Sequence, residues 1–331
     1  MKGNVHKIYE LGKRDNQEDC LYPNVNNGVN VLRYFILCDG IGGHSKGELA
    51  SSTVCSVLSE WLDSNVIGRA ITKEDFKTAL HAAYDKLDAI DTSDSIKKMG
   101  TTLTFVTFTE SGVLAAHIGD SRIYHIRPSA DAPILYKSID HSLVNDLFKI
   151  GEITEEEMAT SKSRHILTRA VQSHQEYRSE AEIHLLTDVR EGDYFYLCSD
   201  GMLENISDKE LVEIFKLPIP DEDKTQLLLE NSADNKDNHS AFIIRILEEG
   251  NPKPFTSNPL PVKPVPTRSV PMMNSKGRAL KGLPNTSGGK SSFLRKNFLY
   301  ILVFLLSIVC GIFLFMMGKY DWLGWILSGK E

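Results

Sequence analysis

Four aspartates of this 331-residue chain stand where short apolar segments stop or start. Asp39 follows VLRYFILC, Asp120 follows a segment ending at Ile118, Asp200 follows YFYLCS, and Asp237 precedes a segment beginning at Ala241. Beside them lie Gly40 with Gly42 and Gly43, Gly119, Gly201 and Asn238, residues that permit close or unusual backbone approach. One Asp-Gly after a strand is ordinary turn chemistry, but four in one acidic domain ask for a further reason. If the segment ends converge, several carboxylates share a cavity and raise one another's pKa unless cations neutralise them. An all-oxygen donor set, with no His or Cys at metal-ligand spacing, selects hard ions such as Mg²⁺ or Mn²⁺ over Zn²⁺.

The elements that must position these carboxylates are legible as period and composition. Segments 31–38, 101–109, 113–118, 122–127, 181–186, 194–198 and 241–247 are short, apolar and rich in β-branched or aromatic residues, which predicts strands. Helical spacing runs over 47–62, over 73–90 behind a Thr72 cap with Glu74 and Asp75 in the first turn, and over 208–215 behind Ser207. Glu110-Ser111-Gly112 is too short for a parallel crossover, so a hairpin and antiparallel sheets are expected. There is no internal repeat of fixed period.

Charge divides the chain. The formal net charge is −7, but residues 1–250 hold 26 Lys and Arg against 42 Asp and Glu, and residues 251–331 hold 11 against 2. So acidic a body is unsuited to a phosphate backbone, and no nucleic-acid partner is expected. At 41% apolar residues the chain can still bury a core. The five cysteines, Cys20, Cys38, Cys55, Cys198 and Cys310, are scattered without a Cys-x-x-Cys. That disfavours a disulfide framework or thiolate zinc site and points to a reducing compartment. Cys38 and Cys198 lie at apolar strand ends, where packing is expected rather than redox chemistry.

No apolar run near Met1 suits a secretory signal. Residues 298–317, FLYILVFLLSIVCGIFLFMM, are 20 residues without a charge, the length needed to cross about 30 Å of hydrocarbon. Basic residues crowd the preceding flank, which places the body on the cytoplasmic side of a single-pass membrane helix. Residues 251–297 hold 8 of the 13 prolines, 9 basic residues and no acidic one. They read as a linker whose charges set topology or lie against anionic headgroups. The expected domains are therefore a body at 1–250, the linker at 251–297, a transmembrane helix at 298–317 and a short tail at 318–331.

Seven segments in order resemble one family: Arg14-Asp15-Asn16-Gln17-Glu18-Asp19, Asp39-Gly40-Ile41-Gly42-Gly43-His44, Gly100-Thr101-Thr102, Gly119-Asp120-Ser121-Arg122, Asp140-His141-Ser142-Leu143, Ser199-Asp200-Gly201 and Asp237-Asn238-His239-Ser240. They are similar to the motifs of the PPM family, the metal-dependent type 2C protein serine/threonine phosphatases, in their bacterial form, and span residues 5–248. The resemblance implies an α+β fold: a four-layer α-β-β-α sandwich of two antiparallel sheets flanked by helices, to which the membrane helix would be added. It implies that Asp39 bridges two Mn²⁺ or Mg²⁺ ions, that the Gly40 carbonyl holds one, and that Asp200 and Asp237 complete the inner set. Glu18 and Asp19 would act through metal-bound waters, Asp120 with Asp200 would form an outer third site, and Arg14 would grip the phosphoryl group. Residues 140–167 correspond to a variable flap beside the site.

The implied reaction is hydrolysis of phosphoserine and phosphothreonine in cytoplasmic proteins by a water bridging two ions. Phosphate-monoester hydrolysis is slow enough uncatalysed to require on the order of 20 kcal/mol, and two metals about 3.5–4 Å apart clamp an in-line displacement. Phosphorylated proteins, and a serine/threonine kinase acting on them, are the implied partners. Ile41 departs from eukaryotic members, which carry a histidine there as leaving-group acid. His44 is a candidate acid or a structural hydrogen-bonding residue. Asp234 competes with Asp237 for the last ligand role, and spacing to the following strand favours Asp237. The alternatives are a catalytically inactive phosphoprotein-binding membrane scaffold of the same fold, and a phosphatase for small molecules.

Overall fold

The computed structural model describes residues 1–42, 45–92, 98–109 and 111–248. His44, the linker, the apolar span at 298–317 and the tail lie outside the described residues. Among the described residues no helix is long and apolar enough to cross a membrane.

The described residues form thirteen strands and six α-helices in the order β1 (Lys2–Glu10), β2 (Asp19–Tyr22), β3 (Gly28–Val31), β4 (Tyr34–Ile41), α1 (Ser45–Asn65), α2 (Lys73–Ile90), β5 (Gly100–Thr101), β6 (Leu103–Thr109), β7 (Gly112–Ile118), β8 (Arg122–Ile126), β9 (Ile134–Lys137), α3 (Leu143–Lys149), α4 (Glu155–Thr160), β10 (Val171–Gln172), β11 (Glu182–Leu186), β12 (Tyr194–Cys198), α5 (Asp208–Lys216), α6 (Asp221–Ser232) and β13 (His239–Glu248). The first sheet runs β3-β1-β13-β12-β8-β9, and the second runs β10-β5-β4-β6-β7-β11 with β2 alongside β4. Every pairing between these strands is antiparallel.

Alternation along the strands sorts side chains into three apolar layers. In β12, Phe195 and Leu197 face the core between the sheets while Tyr194, Tyr196 and Cys198 face α5 and α6. In β4, Phe35 joins the same central core while Tyr34, Ile36 and Cys38 pack beneath α1 and α2. Helix, sheet, sheet and helix therefore stack as four layers, the fold expected for the body. Cys38, Cys55 and Cys198 are buried in these cores, in keeping with packing roles.

Several boundaries differ from the sequence reading. The apolar run 31–38 is two strands, because the chain crosses between sheets there: Val31 ends β3 in the first sheet and Tyr34 starts β4 in the second. Leu32, at the crossing, is buried in the central core. The run 101–109 breaks at Thr102, whose N–H turns to the Asp39 carbonyl. β6 and β7 form the expected hairpin, in which Thr109 pairs with Gly112. β1, β2, β9, β10 and α6 have no clear period in the sequence. β1 nevertheless pairs along its whole length with β13, from Lys2–Glu248 to Glu10–His239.

Candidate metal centre

Strand pairing builds the centre. β2 and β4 run antiparallel with Asp19 opposite Asp39, so two carboxylates from distant motifs stand side by side. The β4 end is held by the Thr102 turn: Asp39 N–H donates to Thr102 Oγ1 at 3.0 Å, and Thr102 N–H donates to the Asp39 carbonyl at 2.8 Å. Thr102 Oγ1 in turn shares a 2.6 Å hydrogen bond with Ser121 Oγ, beside Asp120. Asp200 opens a short 3₁₀ turn at the end of β12, and Ser199 just before it donates to Asp19 Oδ2 at 2.9 Å.

Gly40 is required by close approach. A Cβ there would stand 2.2 Å from the Gly47 carbonyl oxygen and 2.8 Å from that of Glu18. The first turn of α1 is thereby pressed against the strand end, with the Glu18 carboxylate against Gly47. Gly40 N–H donates to the Glu18 carbonyl at 3.1 Å, and Ser51 Oγ donates to the same oxygen at 2.5 Å.

The Asp237 loop is held by Asn238 and Glu204. Asn238 accepts the Glu18 N–H on Oδ1 at 2.8 Å and donates through Nδ2 to the Leu11 carbonyl at 2.7 Å. Glu204 accepts the N–H groups of Lys236 and Asp237 at 2.9 and 3.2 Å. Asn238 is marked in the sequence only by its place beside Asp237, and Glu204 carries no spacing signal. Asp234, the competitor of Asp237, is exposed and pairs with Lys13. Arg14 Nη2 donates to Asp237 Oδ2 at 2.6 Å, which seats the guanidinium at the rim of the carboxylate cluster.

Burial grades the cluster. Asp19 is sealed at the floor, and its Oδ1 is buried with no hydrogen-bond partner. Asp39, Asp120, Asp200 and Asp237 are half-buried around it. Desolvation, with the charges of Asp200 and Asp237 behind it, pushes Asp19 up to about 7 against the nearby Ser240 and Ser199 hydroxyls. Desolvation and the charges of Asp200 and Asp140 push Asp120 up to about 8. Asp39 is raised well above the carboxylate range by desolvation and by Asp19, Asp200, Asp120 and Asp237. Asp200 is raised by desolvation and then by Asp237, which the nearby His165 and a hydrogen bond with Asp39 only partly oppose. Asp19, Asp39, Asp120 and Asp200 are thus short of positive charge, and Asp19 Oδ1 makes no hydrogen bond. Hard divalent cations fit that donor set in charge and in atom type.

Similarity to known proteins agrees with this geometry. Residues 14–233 match the protein phosphatase 2C family. The chain is 32% identical over 240 residues to protein phosphatase PhpP of Streptococcus pneumoniae, an alignment covering 72% of this chain and 94% of that protein. The fold is similar to the crystal structure of serine/threonine phosphatase PstP/Ppp from Mycobacterium tuberculosis, with a TM-score of 0.62 at 26% identity, covering 75% of this chain and 100% of that one. It is similar also to the catalytic domain of serine/threonine protein phosphatase PstP in complex with two manganese ions, with a TM-score of 0.60 at 27% identity and coverage of 75% and 100%.

Proposed function

We infer the activity from one premise: the chain belongs to the protein phosphatase 2C family. It is a metal-dependent protein serine/threonine phosphatase that removes phosphate from phosphoserine and phosphothreonine in proteins. The observation that carries this reading is the convergence of Asp19, Asp39, Asp200 and Asp237 from four separate motifs, with a buried Asp19 oxygen lacking any partner. A binding scaffold has no use for so costly a charge cluster.

Two divalent ions, Mn²⁺ or Mg²⁺, supply when bound the Lewis acidity that activates water and neutralises the developing charge. The residues fit to hold them are Asp39, the Gly40 carbonyl, Asp200 and Asp237, with Glu18 and Asp19 supporting through waters. Asp120 with Asp200 suits a third, outer ion. Arg14, poised beside Asp237, offers the planar fork that orients a phosphoryl group, and it stays charged at any working pH. Thr102 and Asn238 keep the Asp39 strand end and the Glu18 loop in place through backbone hydrogen bonds.

The test is hydrolysis of phosphothreonine and phosphotyrosine peptides with Mn²⁺, with Mg²⁺ and with EDTA. Divalent-dependent release from phosphothreonine is expected. Undiminished release in EDTA would sink the reading.

The chain's organisation beyond residue 250 belongs to the same proposal. The charge-free span at 298–317 anchors the enzyme in a membrane, the basic flank before it keeps the phosphatase domain cytoplasmic, and 251–297 is the tether. A serine/threonine kinase on the same face would be the enzyme's counterpart. Truncation after residue 297 should leave an active phosphatase that no longer sediments with membranes, and protease added outside intact cells should spare the body. External digestion of the body would reverse the orientation.

A further inference from the structure

Behind the carboxylate cluster lies a second group of chemistry-bearing side chains. His117, His141 and Glu182 place three ligand-type atoms within 4.8 Å of one another, the make-up of an imidazole–carboxylate metal site. The two imidazoles stack at 4.5 Å between centroids. The hydrogen bonds argue against a metal. Gly119 N–H points at His141 Nδ1, at 3.1 Å, so Nδ1 holds the lone pair. A neutral imidazole then carries its proton on Nε2, the atom that would have to ligate. That Nε2–H faces Glu182 Oε2, at 3.5 Å, and Glu182 Oε1 is held by His184 at 2.8 Å.

What His141 does hold is backbone. Its own N–H donates to the Gly119 carbonyl at 2.9 Å, so the ring and the main chain grip both the N–H and the C=O of Gly119. The His141 carbonyl accepts the Thr168 N–H at 2.9 Å. Between these points the chain leaves and returns: Ser142 bridges Leu167, and Leu143 N–H donates to the Ile166 carbonyl at 2.8 Å. Residues 142–167 are thus an excursion whose two feet meet on one histidine, and that histidine grips the residue before Asp120. Gly119 cannot easily be replaced there, because its φ is +104° and a Cβ would stand 2.7 Å from Thr102 Cγ2. Arg122 adds a second tie, with Nε and Nη2 each 2.7 Å from the Asp140 carboxylate.

We propose that His141 is a positioning residue, which by accepting the Gly119 N–H fixes the turn carrying Asp120 to both feet of the 142–167 flap. The Gly119 N–H itself fixes the tautomer by pointing at Nδ1, and burial of His141 at 3% exposure protects the contact. The inference rests on the phosphatase reading only for its effect on substrate; the clamp itself is a property of the fold.

The test uses the full chain purified in mild detergent, with His141→Leu, His141→Gln and His141→Asn. Asn places Oδ1 where Nδ1 sits and keeps the acceptor. Gln carries its amide out to the Nε2 position and cannot reach Gly119. Hydrogen exchange across 117–122 and 141–168 should quicken about tenfold in the Leu and Gln variants and stay within about twofold in Asn. KM for a phosphothreonine peptide should rise about tenfold in Leu and Gln, while kcat on p-nitrophenyl phosphate, which offers the flap no peptide, changes less than about threefold. Equal behaviour of Asn and Leu, or unchanged exchange in Leu, overturns the clamp. If the Leu variant does not fold, Gln takes its place in both comparisons with Asn and wild type. A wild-type chain without divalent-dependent peptide activity would refute the phosphatase reading and leave the exchange result to judge the clamp.

Discussion

Asp19 and Asp39 face each other across β2 and β4, yet their surroundings divide their roles. Asp19 is sealed and takes a hydrogen bond from Ser199, whereas Asp39 opens toward solvent amid four other carboxylates. Charge at Asp39 and Asp200 is therefore a liability without cations and an asset with them. Asp39→Asn and Asp200→Asn should each lower kcat/KM in saturating Mn²⁺ by at least about a thousandfold, roughly 4 kcal/mol of transition-state stabilisation. The same variants should melt higher than wild type in EDTA, since each relieves like-charge repulsion. Retention of a tenth of wild-type activity by both would contradict the assignment. Asp120→Asn should weaken one ion and spare the others, which titration calorimetry can count; loss of all binding would erase the distinction between inner and outer sites.

Among the elements, α2 illustrates local chemistry that the sequence already announced. Thr72 accepts the Asp75 N–H while Asp75 accepts the Thr72 N–H, a complete capping box, and Arg69 pairs with the same carboxylate. The Arg69 hydrogen bond is the main reason the Asp75 carboxyl lies below its usual range. A depressed folded-state pKa stabilises above the unfolded value of about 3.9 and loses that contribution as pH falls through the folded one. Thr72→Ala should cost about 1 kcal/mol at pH 7. Asp75→Asn should destabilise at pH 7, with a penalty that fades below about pH 4. Urea unfolding at pH 7 and pH 3 measures both, and an equal Asp75→Asn penalty at the two would remove ionisation from the account. β1 teaches the converse. Its two buried aliphatic side chains, Val5 and Ile8, fall out of strict alternation, yet β13 pairs with it end to end and so places the loop bearing Arg14 and Glu18 at the centre.

For the molecule as a whole, the carboxylate cluster couples folding to cations. Asp19 and Asp120 are pushed up to about 7 and about 8, above the unfolded value of about 3.9. Groups raised in the folded state stabilise while protonated, and that stability is lost as pH rises through the folded pKa. The melting temperature in EDTA should therefore fall from about pH 4 to about pH 8 and level off above that. Saturating Mn²⁺ should flatten that slope, because ions bound to the native state replace the protons. Calorimetric scans with and without Mn²⁺ decide it: a slope that Mn²⁺ leaves unchanged would mean that the cluster does not bind it.

The chemistry and the sheet type were legible in the chain because both rest on local patterns. Aspartates at strand ends next to Gly or Asn, a hairpin too short for a crossover and seven motifs in order need no knowledge of distant partners, and a capping box or an alternating strand is complete within about ten residues. Asp39, Asp200 and Asp237 could be singled out for that reason. Packing in three dimensions settled what depends on remote residues: that Asp19 lies opposite Asp39 while its Oδ1 is left without a hydrogen bond, that Glu204 holds the Asp237 loop, and that His141 grips Gly119. α6 escapes notice in the sequence because its apolar residues sit in one run, Leu227 to Leu229, without helical spacing, and its cap is Pro220 with no side-chain hydrogen bond. Its burial against α5 and the first sheet supplies what its sequence lacks. A hydrogen bond between residues 22 or 33 positions apart leaves no periodic trace in the chain, because its geometry is set by the packing of two sheets and not by the spacing of either partner.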